Sequence, residues 1–332
     1  MKPQVLVAAG LTAILAANVA QAQQENATGA AKLDPIATVD DVQHSVWASG
    51  QTLNAISFML QYGDTTRLRQ VLYPNYENGL TPGYVFTPLK IEKGKKYPGL
   101  VILHGSNHGS FAPELFDLIA QAVAKGYVVM FPEYCGSKGY GAQHYQAVDY
   151  TGKDTSEVLA SVDYLVKTRE FVDPERIGIA GHSHGGLIAL SAIQKSPKRF
   201  KAAVDMMGLS DLVAYAAYNP PKRMEQQVVR EPTFKGKYPY QDLQPYIDAS
   251  PMNHVDKFET PLLIITTNSD HHVQFEVHAR RLAEVLKAHG KTYEYQEYDN
   301  APGGHVFVFG DSEAARQAFE KTFQFLGKYL RP

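Results

Sequence analysis

The sequence contains a single cysteine, Cys135, among its 332 residues, and a single tryptophan. One cysteine cannot form an intramolecular disulfide, so the fold has to be held by its apolar core. Hydrophobic residues make up 44% of the chain, which is enough for one large domain. The chain also lacks a large net charge of either sign, since it has 32 Lys and Arg and 34 Asp and Glu residues. This balance argues against nucleic acid and anionic lipid as partners.

Long hydrophobic runs are also missing beyond the N-terminus. The first residues combine a positive start at Lys2, an apolar stretch over residues 5–17 and the small residues Ala20 and Ala22. This pattern predicts a signal peptide over residues 1–22, cleaved before Gln23, and the alternative is a retained signal anchor. We therefore expect an exported protein, periplasmic or secreted from a bacterium, with no stable membrane anchor. A partly disordered N-terminal segment is expected over residues 23–75.

Strand and helix patterns alternate from about residue 97 to the end of the chain. Most of the strands, such as 97–103 and 262–265, are continuous apolar runs, which is typical of a mostly parallel sheet with helices on both faces. Residues 76–332 are predicted to form this α/β domain. In such sheets, ligands bind beyond the carboxyl ends of the strands, so the loops after the strands are where chemistry is expected. Residues 41–72 show a mixed pattern, and residues 84–88 read as an edge strand.

The most informative motif is Gly-His-Ser-His-Gly at residues 181–185, which has the form G-x-S-x-G. An apolar strand pattern at 176–180 precedes it and a helical pattern at 187–193 follows. Strand, tight turn and helix are the context in which this motif presents a nucleophilic serine in α/β-hydrolases. Ser183 is therefore the predicted nucleophile; the alternative is a glycine-rich turn with an incidental serine.

A nucleophilic serine needs a base within hydrogen-bond reach and an acid that orients the base. In α/β-hydrolases these follow the serine in the order acid, then histidine. Asp270 follows the predicted strand 262–265, and His305 follows the strand that ends at Tyr298, so both lie in loops after strands. We predict that they are the acid and the base. The rival acid is Asp299, and the rival bases, His271 and His272, should face elsewhere if Asp270 has this role.

The reaction also requires donors for a developing oxyanion. The backbone N–H of His184, the residue after the nucleophile, is one predicted donor, and that of Ser106 in the loop after strand 97–103 is the other. Several histidines crowd the same edge, but no H-E-x-x-H or comparable metal signature is present. We therefore expect no metal and no other cofactor.

Residues 211–250 interrupt the strand and helix rhythm and are rich in tyrosine and proline. One hypothesis is a cap over the site, with Tyr215 and Tyr218, together with Tyr140 from an earlier loop, lining an aromatic substrate pocket. The alternative is a surface insertion that packs on the core.

From residue 94 to residue 329 the sequence resembles the catalytic domain of the prolyl oligopeptidase family of serine peptidases. The resemblance is carried by Gly-Ser-Lys-Gly-Tyr-Gly at 136–141 and by the segments 172–179, 199–204 and 260–264. It implies an α/β-hydrolase fold, and it places Asp270 and His305 where the family has its acid and base.

Three departures from the family pattern matter. His184 stands where the family usually has an aromatic residue, and Thr267-Asn268 stands where its acid loop often begins with His-Gly. About 70 residues separate the predicted cleavage site from the hydrolase region, too few for the family's β-propeller. Recognition of a free peptide N-terminus is therefore not carried over.

Together these features predict a serine hydrolase that works through an acyl-enzyme, as a peptidase on short peptides. A carboxylesterase acting on small or aromatic esters is the alternative, and a binding protein without turnover is a third reading. The expected partner is thus a small molecule or short peptide. The sequence leaves the substrate and the oligomeric state open.

Overall fold

An eight-stranded sheet forms the centre of the computed structural model, which describes residues 39–332. The strand order is β1-β2-β4-β3-β5-β6-β7-β8. Strands β3 to β8 run parallel to one another, whereas β2 runs antiparallel to both β1 and β4. The strands are β1 (Thr66–Pro74), β2 (Leu80–Pro88), β3 (Tyr97–Leu103), β4 (Val128–Pro132), β5 (Val172–His182), β6 (Ala202–Met206), β7 (Leu262–Thr267) and β8 (Tyr293–Tyr298).

Helices cover both faces of the sheet. They are α1 (Val39–Tyr62), α2 (Phe116–Ala124), α3 (Ala142–Tyr145), α4 (Lys153–Thr168), α5 (His184–Lys195), α6 (Leu212–Tyr218), α7 (Pro221–Met224), α8 (Gln244–Asp248), α9 (Arg281–Ala288) and α10 (Glu313–Leu330). One core cluster joins the sheet to α1, α2 and α10, and a second joins its other face to α4, α5 and α9. Every residue of β3, β4, β6 and β7 is buried, which explains why these strands are continuous apolar runs. The predicted doubly covered, mostly parallel sheet is confirmed.

The N-terminal part of this domain differs from the sequence prediction. Residues 39–62 form helix α1, and β1 continues the sheet beyond β2, so the domain starts well before residue 76. Residues 84–88 belong to β2, which is flanked on both sides, and β1 is the edge strand on this side of the sheet. The pattern of β1 was hard to read because edge strands tolerate charged residues, here Arg67 and Arg69. The predicted signal peptide lies outside the described residues.

The segment 211–250 folds into short helices with a small apolar cluster of their own. That cluster includes Tyr215, Phe234 and Tyr246 of the segment, and Leu187 of α5, the helix that follows the predicted nucleophile. The segment is therefore anchored beside the carboxyl end of the central strands. Among the described residues, no helix has both the length and the apolarity needed to cross a bilayer.

Candidate active site

Ser183 occupies a sharp turn between β5 and α5. Its φ angle of 56° lies in the left-handed region, which is strained for a residue with a side chain. A Cβ on Gly181 would lie 2.1 Å from the carbonyl oxygen of Gly185, and one on Gly185 would lie 2.4 Å from that of His104. Both positions therefore accept only glycine. The tightness of this turn is what lifts Ser183 out of the strand and places it at the first turn of α5.

The structure brings Ser183, His305 and Asp270 together, although they are far apart in sequence. His305 Nε2 lies 2.8 Å from Ser183 Oγ, and His305 Nδ1 lies 2.7 Å from Asp270 Oδ2. Asp270 follows β7, and His305 lies in a short 3-10 helix, Gly304–Phe309, after β8. Neighbouring parallel strands thus deliver the acid and the base to one edge of the sheet. The arrangement can remove a proton from the serine hydroxyl and stabilise the resulting imidazolium.

Asp270 is buried, and burial opposes its ionisation. Hydrogen bonding to His305 and to two backbone amides outweighs this effect and holds the pKa of the carboxyl below its usual value. Those amides belong to His272 and Val273 and donate to Oδ1 at 2.8 and 2.9 Å. An ionised Asp270 accepts a hydrogen bond from Nδ1–H of His305, which leaves Nε2 free to accept the proton of Ser183.

A second histidine supports the loop that carries His305. Nε2–H of His182 donates to the backbone carbonyl of His305 at 2.7 Å. Burial, followed by the charge of His305, lowers the pKa of His182 to about 3. His182 is therefore neutral and acts as a fixed hydrogen-bond donor beneath the base.

His272 faces the active site, which corrects the prediction that it faces elsewhere. Its ring stacks on that of His305 with centroids 4.6 Å apart, and it lines the same cavity as Ser183, although its outer side is exposed to solvent, as is His271. Because Asp270 Oδ1 accepts the amide of His272, the chain turns back towards the base. Partial desolvation at the cavity, then the charges of His305 and Arg223, lower the pKa of His272 to about 4. The stacked ring is thus neutral and covers one side of the base.

Ser106 and His184 both border the cavity in front of Ser183. Ser106 has a φ angle of 62°, so its loop turns sharply after β3. Neither backbone amide donates a hydrogen bond within residues 39–332, which leaves both N–H groups free to bind an oxyanion. The side chain of His184 takes no part in this donation, and it packs edge-on against Tyr150. The assignment of these two amides as donors stays a prediction.

A cavity of about 690 Å³ opens above Ser183. Tyr215 lines it, as predicted, but Tyr140 and Tyr218 do not. The hydroxyl of Tyr140 donates to that of Tyr84, and the hydroxyl of Tyr218 is paired with His278 Nε2, so both half-buried tyrosines are held by partners within the protein. The structure therefore does not bring these two tyrosines to the cavity, and tyrosine content alone does not reveal which hydroxyl finds an internal partner.

The segment 211–250 reaches the cavity through Gln227 as well as Tyr215. The backbone carbonyl of Gln227 accepts hydrogen bonds from Tyr150 at 2.7 Å and from Asn107 in the loop after β3 at 3.4 Å. The segment therefore forms one wall of the site. Neither Gln227 nor Tyr150 had been singled out from the sequence, because no motif surrounds them. The hypothesis that residues 211–250 act as a cap over the site stays a prediction.

Among residues 39–332, no group of three or more His, Cys, Asp and Glu side chains is arranged to hold a metal ion. Instead, His104, His108 and His182 are hydrogen-bonded to other groups of the protein. His104, for example, is buried, with Nε2 2.8 Å from Ser137 Oγ, and burial lowers its pKa to about 3.

Comparison with known proteins places these observations in a family. The model of the prolyl oligopeptidase family matches residues 113–332. An uncharacterized peptidase of Bacillus subtilis, YuxL, is 29% identical over 70% of this chain and 35% of its own length. The acylamino-acid-releasing enzyme of Arabidopsis thaliana is 25% identical over 66% of this chain and 29% of its own.

A solved structure, a puromycin-hydrolyzing peptidase of Mycobacterium tuberculosis, superposes with a TM-score of 0.69. It is 25% identical, and the match covers 80% of this chain and 39% of that one. The chain thus spans about a third of the length of these relatives.

Proposed function

Because the chain belongs to the prolyl oligopeptidase family, we propose that it is a serine peptidase that cleaves short peptides through an acyl-enzyme intermediate. The observation that carries this proposal is the hydrogen-bonded series Ser183, His305 and Asp270, with separations of 2.8 and 2.7 Å. All three groups of a serine hydrolase are in reach of one another without any rearrangement of the chain.

The proposed reaction starts when Ser183 Oγ attacks the scissile carbonyl while His305 Nε2 takes the hydroxyl proton. The oxyanion is stabilised by the amides of Ser106 and His184, for which removal of one donor typically costs about 10²–10³ in rate. His305 then gives its proton to the departing amine, which leaves an ester on Ser183. A water molecule, deprotonated by His305, hydrolyses that ester and restores the enzyme.

The cavity walls favour substrates whose amino end is blocked. Tyr150, Leu209 and Tyr215 supply aromatic and apolar surface near Ser183. Glu114 is the one acidic side chain among the described residues that line the cavity, and it is exposed. A free α-ammonium group would therefore find no buried carboxylate to pair with. A name among the relatives, acylamino-acid-releasing enzyme, is consistent with this preference.

Ester hydrolysis is the alternative within the same chemistry, because the same attack and proton transfers cleave an acyl–oxygen bond. Carboxylesterase activity on small or aromatic esters therefore competes with the peptidase proposal. We also propose that the protein acts after export, from the N-terminal sequence pattern. The chain spans only about a third of its relatives, so their substrates and partners are not transferred to it.

Rates on matched amide and ester substrates test the proposal. We expect N-acetyl-phenylalanyl amides and esters both to turn over, and the unblocked phenylalanyl amide to react more slowly. Ester turnover without amide turnover would overturn the peptidase proposal and favour the carboxylesterase.

A fluorophosphonate probe tests the nucleophile. Ser183→Ala should abolish labelling and lower kcat by about 10⁴–10⁶. Ser196→Ala, at the opposite end of α5, is the matched control and should label normally. If wild type and Ser183→Ala were labelled equally, or if neither were labelled, Ser183 would not be the reactive nucleophile and the proposed activity would be rejected.

A further inference from the structure

Helix α1 carries a row of aliphatic side chains that the rest of the protein leaves uncovered. Val46 is 54% exposed, Leu53 45%, Ile56 49% and Leu60 78%, and Val42 at the start of the helix is 56% exposed. Isolated exposed aliphatic residues are ordinary, but a contiguous row along one helix marks an interaction surface. We call these five side chains the α1 row.

The α1 row follows the spacing of a coiled-coil seam. Its members, together with Ser49, recur alternately four and three residues apart from 42 to 60. This repeat keeps side chains on one line of the helix, where they can pack into the holes of a facing helix. The opposite side of α1 is already occupied: Gln51 donates to Ser110 and Phe58 is fully buried. The seam is therefore free while the helix itself is firmly attached.

After Asp40 and Asp41 at its start, helix α1 carries no charged side chain. Between Val42 and Tyr62 there is no Asp, Glu, Lys or Arg. A solvent-facing helix usually carries such residues, which keep it hydrated and prevent association. Their absence means that two copies of α1 can approach each other without repulsion between like charges. It also means that an oppositely charged partner would find nothing to pair with.

We propose that α1 is the interface of a homodimer, in which the α1 rows of two copies pack antiparallel about a two-fold axis. In this arrangement Val46 faces the partner's Ile56, and Ser49 faces the partner's Leu53. The same contacts then recur on the other side of the axis, as an isologous interface requires. The small side chain of Ser49 leaves room for the larger leucine opposite, so the layers near the axis alternate in size.

Two other occupants fit the surface less well. Helices that lie on membranes carry Lys and Arg beside the apolar face and turn aromatic residues outward. Helix α1 has no such cations, and its Trp47 is stacked on Tyr145 of the same protein, with ring centroids 4.9 Å apart. The preceding residues 23–38 offer few large apolar side chains that could cover the row. A second copy presents a matching seam.

Sedimentation velocity of the purified protein across a wide concentration range tests the proposal. We expect a dimer that dissociates on dilution, and expect the double variant Leu53→Glu, Ile56→Glu to be monomeric. Gln61→Glu, exposed on another side of the same helix, is the matched control and should remain dimeric. Circular dichroism and Tm should show that all three proteins are folded. A monomeric wild type, or a double variant that is folded and still dimeric, would overturn the interface.

Cross-linking tests the antiparallel direction. Thr52 lies beside the centre of the row, so two copies of Thr52→Cys should be joined by a short bis-maleimide, whereas Gln61→Cys should not. The native Cys135 is buried and does not compete. A dimer in which Thr52→Cys stays unlinked would contradict antiparallel pairing. A monomer that binds phosphatidylcholine–phosphatidylglycerol vesicles would instead assign the row to a lipid surface and overturn the dimer.

Discussion

His184 Nε2 lies 3.6 Å from Asp154 Oδ2, and both side chains are buried directly behind the nucleophile. Asp154 also accepts hydrogen bonds from the amides of Thr151 and Thr155. His184 stands where the family resemblance leads one to expect an aromatic residue. The polar contact with Asp154 and the edge-on contact with Tyr150 explain how the smaller imidazole is held there.

This pairing predicts a mild phenotype for His184→Phe. The backbone amide that would bind the oxyanion is kept, so kcat on a small blocked amide should fall less than about 10-fold. KM should rise, because the pocket wall changes shape and Asp154 loses a partner. Steady-state kinetics on one substrate check both values. A loss of kcat as large as that of Ser183→Ala would show that the imidazole takes part in the chemistry.

Asp270→Asn should lower kcat by about 10⁴, because an amide cannot hold His305 in the required tautomer or stabilise its charged form. The matched control is Asp299→Asn, on the loop that carries His305. Asp299 accepts hydrogen bonds from Asn268 and Asn300 and makes none with the base. Its variant should keep kcat within about threefold. If the two variants exchanged phenotypes, Asp299 would be the catalytic acid.

Gly185→Ala should destabilise the fold as well as the site. Its methyl group would lie 2.4 Å from the carbonyl oxygen of His104 and 2.8 Å from that of Leu103, and backbone cannot give way easily. We expect the free energy of unfolding to fall by about 2–3 kcal/mol in urea denaturation. Gly327→Ala, in α10 with no atom within 4 Å of the new Cβ, is the opposite case. Its free energy of unfolding should rise by about 0.5–1 kcal/mol. Equal losses at both positions would contradict this account of the turn.

The buried carboxyl of Asp205 should make the stability of the fold depend on pH. It is buried beneath the turn, and burial raises its pKa to about 7, an effect that the nearby amide of Gly208 only partly offsets. The folded state thus prefers the protonated carboxyl more than the unfolded state does. The resulting stabilisation is complete below about pH 4 and is lost as pH rises through 7. At pH 8–9 the free energy of unfolding of Asp205→Asn, measured by urea denaturation, should therefore exceed that of wild type by at most about 4 kcal/mol.

At pH 4 the advantage of Asp205→Asn should disappear, since both side chains are then neutral. The exposed Asp64 gives the control, because Asp64→Asn should leave the pH dependence unchanged. The buried Glu133 and Glu157 act in the same direction, since burial raises their pKa values to about 8 and 7. An Asp205→Asn advantage that is the same at every pH would mean that ionisation of Asp205 is not its cause.

The parts of the site that the sequence predicted share a local signature. Ser183 lies in a five-residue motif between a strand and a helix, and Asp270 and His305 each lie in a loop after a strand. Because the strands of a parallel sheet all end at one edge, chain order alone was enough to bring these residues to the same place. The pocket tyrosines had no such signature, and of the three predicted, only Tyr215 lines the cavity.

The sequence by itself determined the doubly covered sheet, the turn at Ser183 and the order of acid and base. These follow from periodicity and glycine spacing, which act over a few residues at a time. Only the tertiary structure decided that His272 stacks on His305, that Asp154 supports His184 and that α1 leaves its aliphatic row uncovered. Such contacts join segments far apart in the chain, and they depend on how each loop and helix packs once the sheet has formed.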